Sequence, residues 1–309
     1  MLARFYNERS MRRFGWDVSW LALPDNATPR MIINAVKAFQ KQEGLTTDGK
    51  LGPTTFRRLD SWRKLQLVNA GHCGGLFLAE YHFGHKEPSD VGALVIDGGL
   101  VTVPFKAVPY SDKFRGLSLM GTKKFTKRNS PPTNIVWHWD AALSAKSCHK
   151  ILSGTRRASS HGCIDNDGTF YQFVDFSTHY TWHAGIRKVN RSSVGIDFSN
   201  AVYRKYNKWY TAHGFGPRPV IEAETNGHKH SLLGYYPAQL MTAAHLAAFF
   251  ETEYSIPLCW PTHNNQLTSP HLFKGHFGHY HCKTTKWDPA GLPWRDIMLN
   301  AMEINDKNE

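Results

Sequence analysis

A short stretch near the end of the chain concentrates side chains that can bind a metal ion. Residues 275–294 read GHFGHYHCKTTKWDPAGLPW and contain three histidines, a cysteine and an aspartate. Imidazole and carboxylate groups are ligands of Zn²⁺, and a catalytic zinc site uses three protein ligands while leaving one position open. A further ligand is therefore expected from elsewhere. The best candidate is His138 in NIVWHWD, because the apolar run before it predicts a buried strand that would hold the imidazole at its end.

Length and composition are those of an ordinary globular protein. The 309 residues can form two domains, and no apolar run is long enough to span a membrane. The charged N-terminal sequence MLARFYNERSMRRFGW lacks the apolar segment of a secretory signal, so we expect no export by the general pathway. The five cysteines form no CxxC pair, which predicts synthesis in a reducing compartment without a disulfide framework.

The formal net charge of +12 predicts attraction to a polyanion. Nucleic acid, an anionic membrane face and an anionic cell wall all satisfy that description. The sequence has no stacking motif in which aromatic residues alternate with arginine and lysine. We therefore rank nucleic acid below the cell wall as a partner.

The first 65 residues predict a small all-helical domain. Thr28 can cap a helix with Pro29 in its first turn, Gly44 ends that helix, and Asp48-Gly49 predicts the next turn. From the residues alone, the two helices could equally have a purely structural role and only pack against the neighbouring domain. The segment AVKAFQKQEGLTTDGKLGPTTFRRL, however, resembles the helical peptidoglycan-binding domain of many wall hydrolases. This resemblance implies that the domain targets the wall.

The rest of the chain predicts two further regions. Residues 66–130 read as a linker or a small β-rich segment without an assigned function, and Ala93–Phe105 predicts a hairpin within it. Residues 131–309 predict an α/β domain with a mixed central sheet flanked by helices. The clearest elements of this domain are strands at Asn134–Trp139, Thr169–Val174 and Ser193–Phe198, and an amphipathic helix that begins at Pro237 and continues through Tyr254.

Several familiar catalytic signatures are absent, namely GxxxxGKS/T, HExxH and GxSxG. What remains is a dispersed set of histidines in four sequence blocks. These are Ile135–His138; Ser159–Gln172 continuing to Trp182–Gly185; Asn190 with Ser193–Asn200; and Gly278-His279 with Lys286, Asp288-Pro289 and Trp294. In this order, over residues 133–296, the blocks resemble the zinc-dependent N-acetylmuramoyl-L-alanine amidases of type 2. That superfamily includes phage lysozyme-like amidases and the peptidoglycan recognition proteins.

The resemblance implies one Zn²⁺ held by two histidines and a carboxylate. His138 would be the first ligand, a histidine after Gly278 the second and Asp288 the third. His279, nine residues before Asp288, fits the family spacing best, and His281 is the alternative. We expect His276 to support a ligand or to face solvent. Cys282 is expected to be a buried or inert thiol.

The resemblance also implies the residues that act around the metal. Lys286 matches a lysine that stabilises the oxyanion of the tetrahedral carbonyl. Asp197 stands where many members carry a glutamate that acts as general base, although aspartate is one methylene shorter. His183, Asn190 and Asn200 are expected to contact substrate, with a purely structural role as the alternative for each.

The implied activity is hydrolysis of the amide between the lactyl group of N-acetylmuramic acid and L-alanine of the stem peptide. The whole chain then reads as a monomeric phage endolysin that accumulates in the host cytoplasm and reaches the wall once the membrane is breached. Two alternatives stay open. One is a recognition protein that binds muramoyl-peptide without cutting it, and the other is a zinc peptidase that cuts within the stem peptide.

Overall fold

A computed structural model describes residues 3–14, 16–52, 55–56, 58–59 and 91–307. The chain divides into two compact units, residues 1–73 with 306–309 and residues 74–305. The boundary expected between residues 65 and 66 lies outside the described residues. Among the helices within the described ranges, none has the length and apolarity needed to cross a membrane.

Among its described residues, the first unit contains α1 (Ala3–Phe14) and α2 (Pro29–Gln42), joined through a short 3-10 helix, and residues 55–56 and 58–59 are also helical. The Thr28 hydroxyl accepts a hydrogen bond from the backbone N–H of Met31, and Pro29 occupies the first turn, as the sequence predicts. The apolar faces of these elements meet in one core. Its buried members are Trp16, Val36, Phe39, Leu51 and Leu59.

Both helices hold the turn that follows α2. Gly49 adopts a φ of +73°, a conformation that favours glycine. Its N–H donates to Gln40 Oε1 of α2 at 2.9 Å, and its carbonyl accepts from Asn7 Nδ2 of α1 at 2.9 Å. The Asp48-Gly49 turn predicted from the sequence is therefore fixed from two sides.

A six-stranded mixed sheet forms the centre of the second unit, with the order β12-β5-β9-β6-β7-β3. The four strands from β12 to β6 are parallel, β7 is antiparallel to β6, and β3 is parallel to β7. The strands of this sheet are β3 (Ala107–Val108), β5 (Asn134–Trp139), β6 (Gly162–Ile164), β7 (Phe170–Gln172), β9 (Ser193–Phe198) and β12 (Gly275–Gly278). The predicted bounds of β5 and β9 are confirmed.

Smaller strand pairs and helices surround this sheet. The pairs are β1 (Gly92–Ile96) with β2 (Gly99–Val103), β4 (Phe125–Lys127) with β8 (His179–Thr181), and β10 (Val220–Thr225) with β11 (His228–Leu233). The helices are α3 (Ala145–Ser153), α4 (Arg187–Ser192), α5 (Asn207–Ala212), α6 (Pro237–Tyr254) and α7 (Trp294–Lys307). The α/β class predicted for this part of the chain is confirmed.

The two faces of β5 meet different surroundings. Ile135 and Trp137 join the main apolar core together with residues of α6 and α7, whereas Val136 packs in a smaller cluster on the other side of the strand. A strand buried on both faces is typical of a parallel sheet. Helix α6 has the predicted bounds, but it is buried around most of its circumference rather than amphipathic.

The described part of the segment without an assigned function, residues 91–130, contributes to this unit. Strands β1 and β2 form the predicted hairpin, and its turn residues Asp97 and Gly98 both have positive φ. Gln172 of β7 attaches the hairpin, because its side chain accepts from the N–H of Val95 and donates to the carbonyl of Val95. β3, from the same segment, is the edge strand of the central sheet.

Candidate metal centre

One row of the central sheet supplies the polar side chains of the site. His138 of β5 pairs with Asp197 of β9, which pairs with Cys163 of β6. Residues paired across parallel strands project from the same face, and residues two positions apart share that face. His138 stands next to the end of β5, so its backbone is fixed by the sheet while its side chain borders open space. The strand predicted to hold this imidazole does so.

His138, His279 and Asp288 converge on one point. Their ligand atoms lie within 4.8 Å of one another. Asp288 Oδ2 lies 3.0 Å from His138 Nδ1 and 3.0 Å from His279 Nδ1. His279 begins a single 3-10 turn directly after β12, the strand that pairs with β5, and this turn brings its ring beside that of His138.

The hydrogen bonds around the two imidazoles define which nitrogen carries the proton. His279 Nε2 lies 3.3 Å from the carbonyl oxygen of Ala184, which can only accept, so this nitrogen donates and Nδ1 keeps its lone pair. Burial lowers the pKa of His279, which favours this neutral form.

The position of the proton on His138 is fixed in the same way, through a series of hydrogen bonds between side chains. The Ser193 hydroxyl donates to the Val189 carbonyl at 2.6 Å and therefore accepts from His183 Nε2 at 3.0 Å. His183 Nδ1 then accepts from His138 Nε2 at 3.1 Å. The remaining nitrogen, His138 Nδ1, faces Asp288 with its lone pair.

Two imidazole lone pairs and a carboxylate oxygen thus meet without a proton between them. Electron-rich atoms in this arrangement repel one another unless a cation lies among them. Two neutral histidines and one carboxylate are also a known ligand set of catalytic Zn²⁺. The residues present fit a zinc ion.

The other two histidines of the stretch face elsewhere. His281 accepts from the N–H of Gly278 at Nδ1 and donates to the carbonyl of His263 at Nε2, so both of its nitrogens are bound to backbone. His276 accepts from Trp137 Nε1 on the core side of the sheet and is 0% exposed. The expectation that His276 supports a ligand or faces solvent is wrong. Cys282 is buried, as expected.

A pocket of about 300 Å³ opens over the three ligand atoms, and its lining includes His183, Asp197 and Lys286. Asp197 is 8% exposed, and burial raises the pKa of its carboxyl although the nearby His138 opposes the shift. A raised pKa suits a carboxylate that must take up a proton. The Lys286 side chain is exposed at the same pocket.

Aromatic rings form another part of the pocket wall. Trp139 and Trp287 meet edge to face with their centroids 4.8 Å apart, and both line the pocket. His230 of β11 stacks against Trp287 at 4.7 Å. Trp287 stands between Lys286 and Asp288 in the sequence, so this packing also restrains the backbone that carries those two residues.

Asn190 and Asn200 do not line this pocket. The Asn190 side-chain oxygen accepts from the N–H of Ala184, and the residue is 6% exposed. Asn200 is 0% exposed and its amide donates to the carbonyls of Leu233 and Gly234. The contacts of both asparagines are those of residues that hold the backbone in place. His183, the third expected substrate residue, does line the pocket but contacts His138.

Two known protein families match this chain. Residues 128–291 match the N-acetylmuramoyl-L-alanine amidase family, and residues 11–59 match a peptidoglycan binding domain. The first match covers more than half of the 309 residues and contains the whole ligand cluster. The chain belongs to the N-acetylmuramoyl-L-alanine amidase family. The predicted family and the predicted N-terminal peptidoglycan-binding domain are both confirmed.

Solved structures similar to this amidase include three with low sequence identity. The catalytic domain of XlyA is 17% identical, with 59% of this chain and 95% of that chain covered and a TM-score of 0.38. A selenomethionine derivative of AmpD is 19% identical over 63% and 93%, with a TM-score of 0.36. LysC from Clostridium intestinale URNW is 15% identical over 63% and 94%, with a TM-score of 0.33. No curated protein sequence matches the chain.

Two residues that support the amidase site were not identified from the sequence. Ser193 fixes the tautomer of His183, and Gly195 leaves room for its ring, since an added Cβ would lie 2.4 Å from His183 Cγ. A signal for both exists in the alternation of β9. With Asp197 on the site face, a period of two places Ser193 and Gly195 on that face as well.

Proposed function

We propose that this amidase hydrolyses the bond between the lactyl group of N-acetylmuramic acid and L-alanine of the stem peptide, with a zinc ion held by His138, His279 and Asp288. One observation carries the proposal. Two imidazole lone pairs and a carboxylate oxygen converge at the floor of a pocket, with no proton available to separate them. When bound, zinc would acidify water and polarise the amide carbonyl.

The chain's own residues have distinct tasks around that centre. Asp197 is the group placed to accept a proton from the attacking water, because it is the carboxylate paired with His138 in the sheet and its pKa is raised. The Lys286 ammonium supplies positive charge where the carbonyl oxygen becomes an anion, an interaction that is strongest in the transition state. His183 holds the His138 ring through a hydrogen bond.

The N-terminal domain gives the reaction its location. We propose that it binds peptidoglycan and so keeps the catalytic domain close to its substrate, which raises the effective concentration of the bonds to be cut. The net charge of +12 adds attraction to anionic wall polymers. A weak binding domain is sufficient under these conditions, because each encounter after the first is intramolecular.

We propose further that the protein is a monomeric phage endolysin that is made in the host cytoplasm and meets the wall after the membrane is breached. The buried cysteines Cys148, Cys163 and Cys282 are thiols outside any disulfide, which agrees with synthesis in a reducing compartment. The measurement for this part is a lysis assay. Expression alone should leave the cells intact, and permeabilising the inner membrane should start lysis.

Digestion of purified peptidoglycan with and without a chelator tests the reaction itself. We expect free stem peptides that begin with L-alanine, intact glycan strands, loss of activity with the chelator and recovery on adding zinc. Cleavage between amino acids of the stem would identify a peptidase instead. Binding without any product would identify a recognition protein, and new reducing ends or cleavage that ignores the chelator would refute the proposal.

A further inference from the structure

A second group of metal-binding side chains lies in the same domain, apart from the ligands described above. Asp140 directly follows β5, Cys148 lies in α3, and Cys163 lies in β6. Their oxygen and sulphur atoms all lie within 4.8 Å of one another. We refer to these three residues as the thiol cluster. None of them has a task in the amide hydrolysis proposed above.

The aspartate of this cluster is oriented by its backbone contacts. Asp140 Oδ1 accepts from the N–H of Ala142 at 2.8 Å and from the N–H of Asn200 at 2.9 Å. These two bonds fix the carboxylate and leave Oδ2 directed at the thiols, 3.7 Å from Cys163 Sγ. In a tetrahedral zinc site with one sulphur and one oxygen ligand, the two donor atoms lie about 3.5 to 3.8 Å apart. The observed separation matches that spacing.

The donor set selects a class of ion. Two thiolates and one carboxylate suit borderline and soft divalent ions such as Zn²⁺, Co²⁺ and Cd²⁺, and do not suit Mg²⁺ or Ca²⁺. Cys148 and Cys163 are buried and free, so neither sulphur is held in a disulfide. Asp140 and Cys148 also line the pocket, which provides a route for an ion and room for water as a fourth ligand.

The cluster is separate from the His138 centre. Cys163 and His138 belong to the same row of the sheet, but Asp197 of β9 lies between them. Two strand spacings amount to about 10 Å between the backbones of β6 and β5. An ion among the thiols would therefore have its own ligands. It would link α3, β6 and the residue after β5 at the wall of the pocket.

We propose that Asp140, Cys148 and Cys163 form a second site for a divalent ion of the zinc class. Without metal, the same thiols pack beside apolar side chains such as Met120 and Phe173, and burial raises the pKa of Cys163. Binding must therefore release the two thiol protons, and the affinity rises with pH. The bound ion stabilises the domain in addition to that apolar packing.

Cobalt titration of the metal-free, full-length protein tests this site. Thiolate ligands give Co²⁺ an intense charge-transfer absorption in the near ultraviolet, whereas imidazole and carboxylate ligands do not. We expect this band in the wild type, with about two ions bound per chain. The band should persist in the His138→Ala/His279→Ala double variant with about one ion bound, because only the thiol cluster is then intact.

Cysteine variants identify the source of the band. Cys148→Ser and Cys163→Ser should each abolish it, whereas Cys73→Ser, Cys259→Ser and Cys282→Ser should each retain it. X-ray absorption of cobalt in the His138→Ala/His279→Ala double variant should show sulphur ligands, and this measurement does not depend on the folding of the cysteine variants. The proposal is overturned if the wild type shows no band at saturating cobalt, if the band survives both cluster variants, or if cobalt in the double variant has no sulphur ligand.

Discussion

Two sets of histidines in the catalytic domain show how the same side chain acquires different tasks. The pocket histidines are His138, His183 and His279, and the core histidines are His161, His276 and His281. The pocket set is linked to other side chains, with Asp288 and Ser193 at the ends of the chain of hydrogen bonds. In the core set, most ring nitrogens are bound to backbone groups.

The hydrogen-bond partners of a histidine identify a metal ligand better than its sequence position or its burial does. His279 and His281 are two residues apart and both are buried, yet only His279 directs a lone pair at Asp288. A nitrogen that already accepts from a backbone N–H, as in His281, cannot also bind an ion without breaking that bond. The comparison teaches that the partner of each nitrogen, rather than the density of histidines, identifies a ligand.

The largest expected effect is the difference in zinc binding between variants of His279 and His281. His279→Ala removes a ligand of the His138 centre, so it should abolish amide hydrolysis and lower the zinc content by about one ion per chain. His281→Ala leaves two backbone groups without a partner, which costs about 1–3 kcal/mol of stability for each group, but the zinc content should remain that of the wild type. Zinc content by elemental analysis and the free energy of unfolding measure the two outcomes. The comparison fails if His281→Ala loses this ion while His279→Ala keeps the zinc content of the wild type.

The second largest effect concerns Asp197, whose loss should change the rate of amide hydrolysis but not zinc binding. Asp197→Asn should lower the rate of hydrolysis by about 10²–10⁴-fold while zinc remains bound. Asp197→Glu, which restores the residue of many family members, should retain more activity than Asn. Asp165→Asn removes a half-buried carboxyl whose pKa is also raised but which lies outside the pocket lining, and should keep the rate near that of the wild type.

The pH profile provides a second readout of the same residue. Burial raises the pKa of Asp197 above the ordinary value of 3.8, and a general base acts only when it is deprotonated. The rate should therefore fall as the pH decreases through this raised pKa, in a range above that of an exposed aspartate. Asp197→Asn should remove this acidic limb. An unchanged limb in the variant would assign the base to another group.

The third effect tests whether His183 acts through His138. Loss of a group that orients a metal ligand typically weakens metal binding by about 10–100-fold, and we expect this for His183→Ala. Gly195→Ala should give a similar loss because the new Cβ would displace the His183 ring. Gly121→Ala is the matched control, since nothing lies within 4 Å of its added Cβ. Weaker substrate binding at unchanged zinc affinity would instead make His183 a substrate contact.

Much of this arrangement was predictable from the sequence because its determinants are local. The apolar runs of β5 and β9 predict their bounds, and Pro237 marks the start of α6. The choice of His279 and Asp288 as ligands depended on the family resemblance, in which the histidine precedes the aspartate by a spacing that His279 fits best. Local patterns of this kind depend on residues that are near one another in the chain, so they can be recognised in the sequence alone.

The parts that could not be predicted depend on contacts through space. His183 meets Gly195 only because β9 passes beneath the loop after β8, and no sequence pattern encodes that approach. In the same way, Cys148 and Cys163 meet because α3 packs on β6. The burial of α6 on most sides also depends on the elements that cover it. Each of these features follows from tertiary packing, which overrides local preference.

The smallest expected effect concerns the core set and is measured as stability. Burial lowers the pKa of His276 to about 3, whereas its ordinary value is 6.5. Between these values the unfolded state binds a proton that the folded state does not, so the stability that this residue contributes is lost as the pH falls from 6.5 towards 3. The slope amounts to about 1.4 kcal/mol per pH unit.

The variant His276→Gln isolates this contribution, because glutamine keeps an acceptor for Trp137 Nε1 but does not titrate. Denaturant unfolding at pH 6 and pH 5, with chelator present throughout, should show a pH dependence that is weaker in His276→Gln than in the wild type by about 1.4 kcal/mol per pH unit. His228→Gln removes an exposed histidine of β11 and should leave the wild-type slope unchanged. Equal slopes for the wild type and His276→Gln would mean that His276 takes up its proton in the folded state, and the distinction between the two sets would then not extend to this residue.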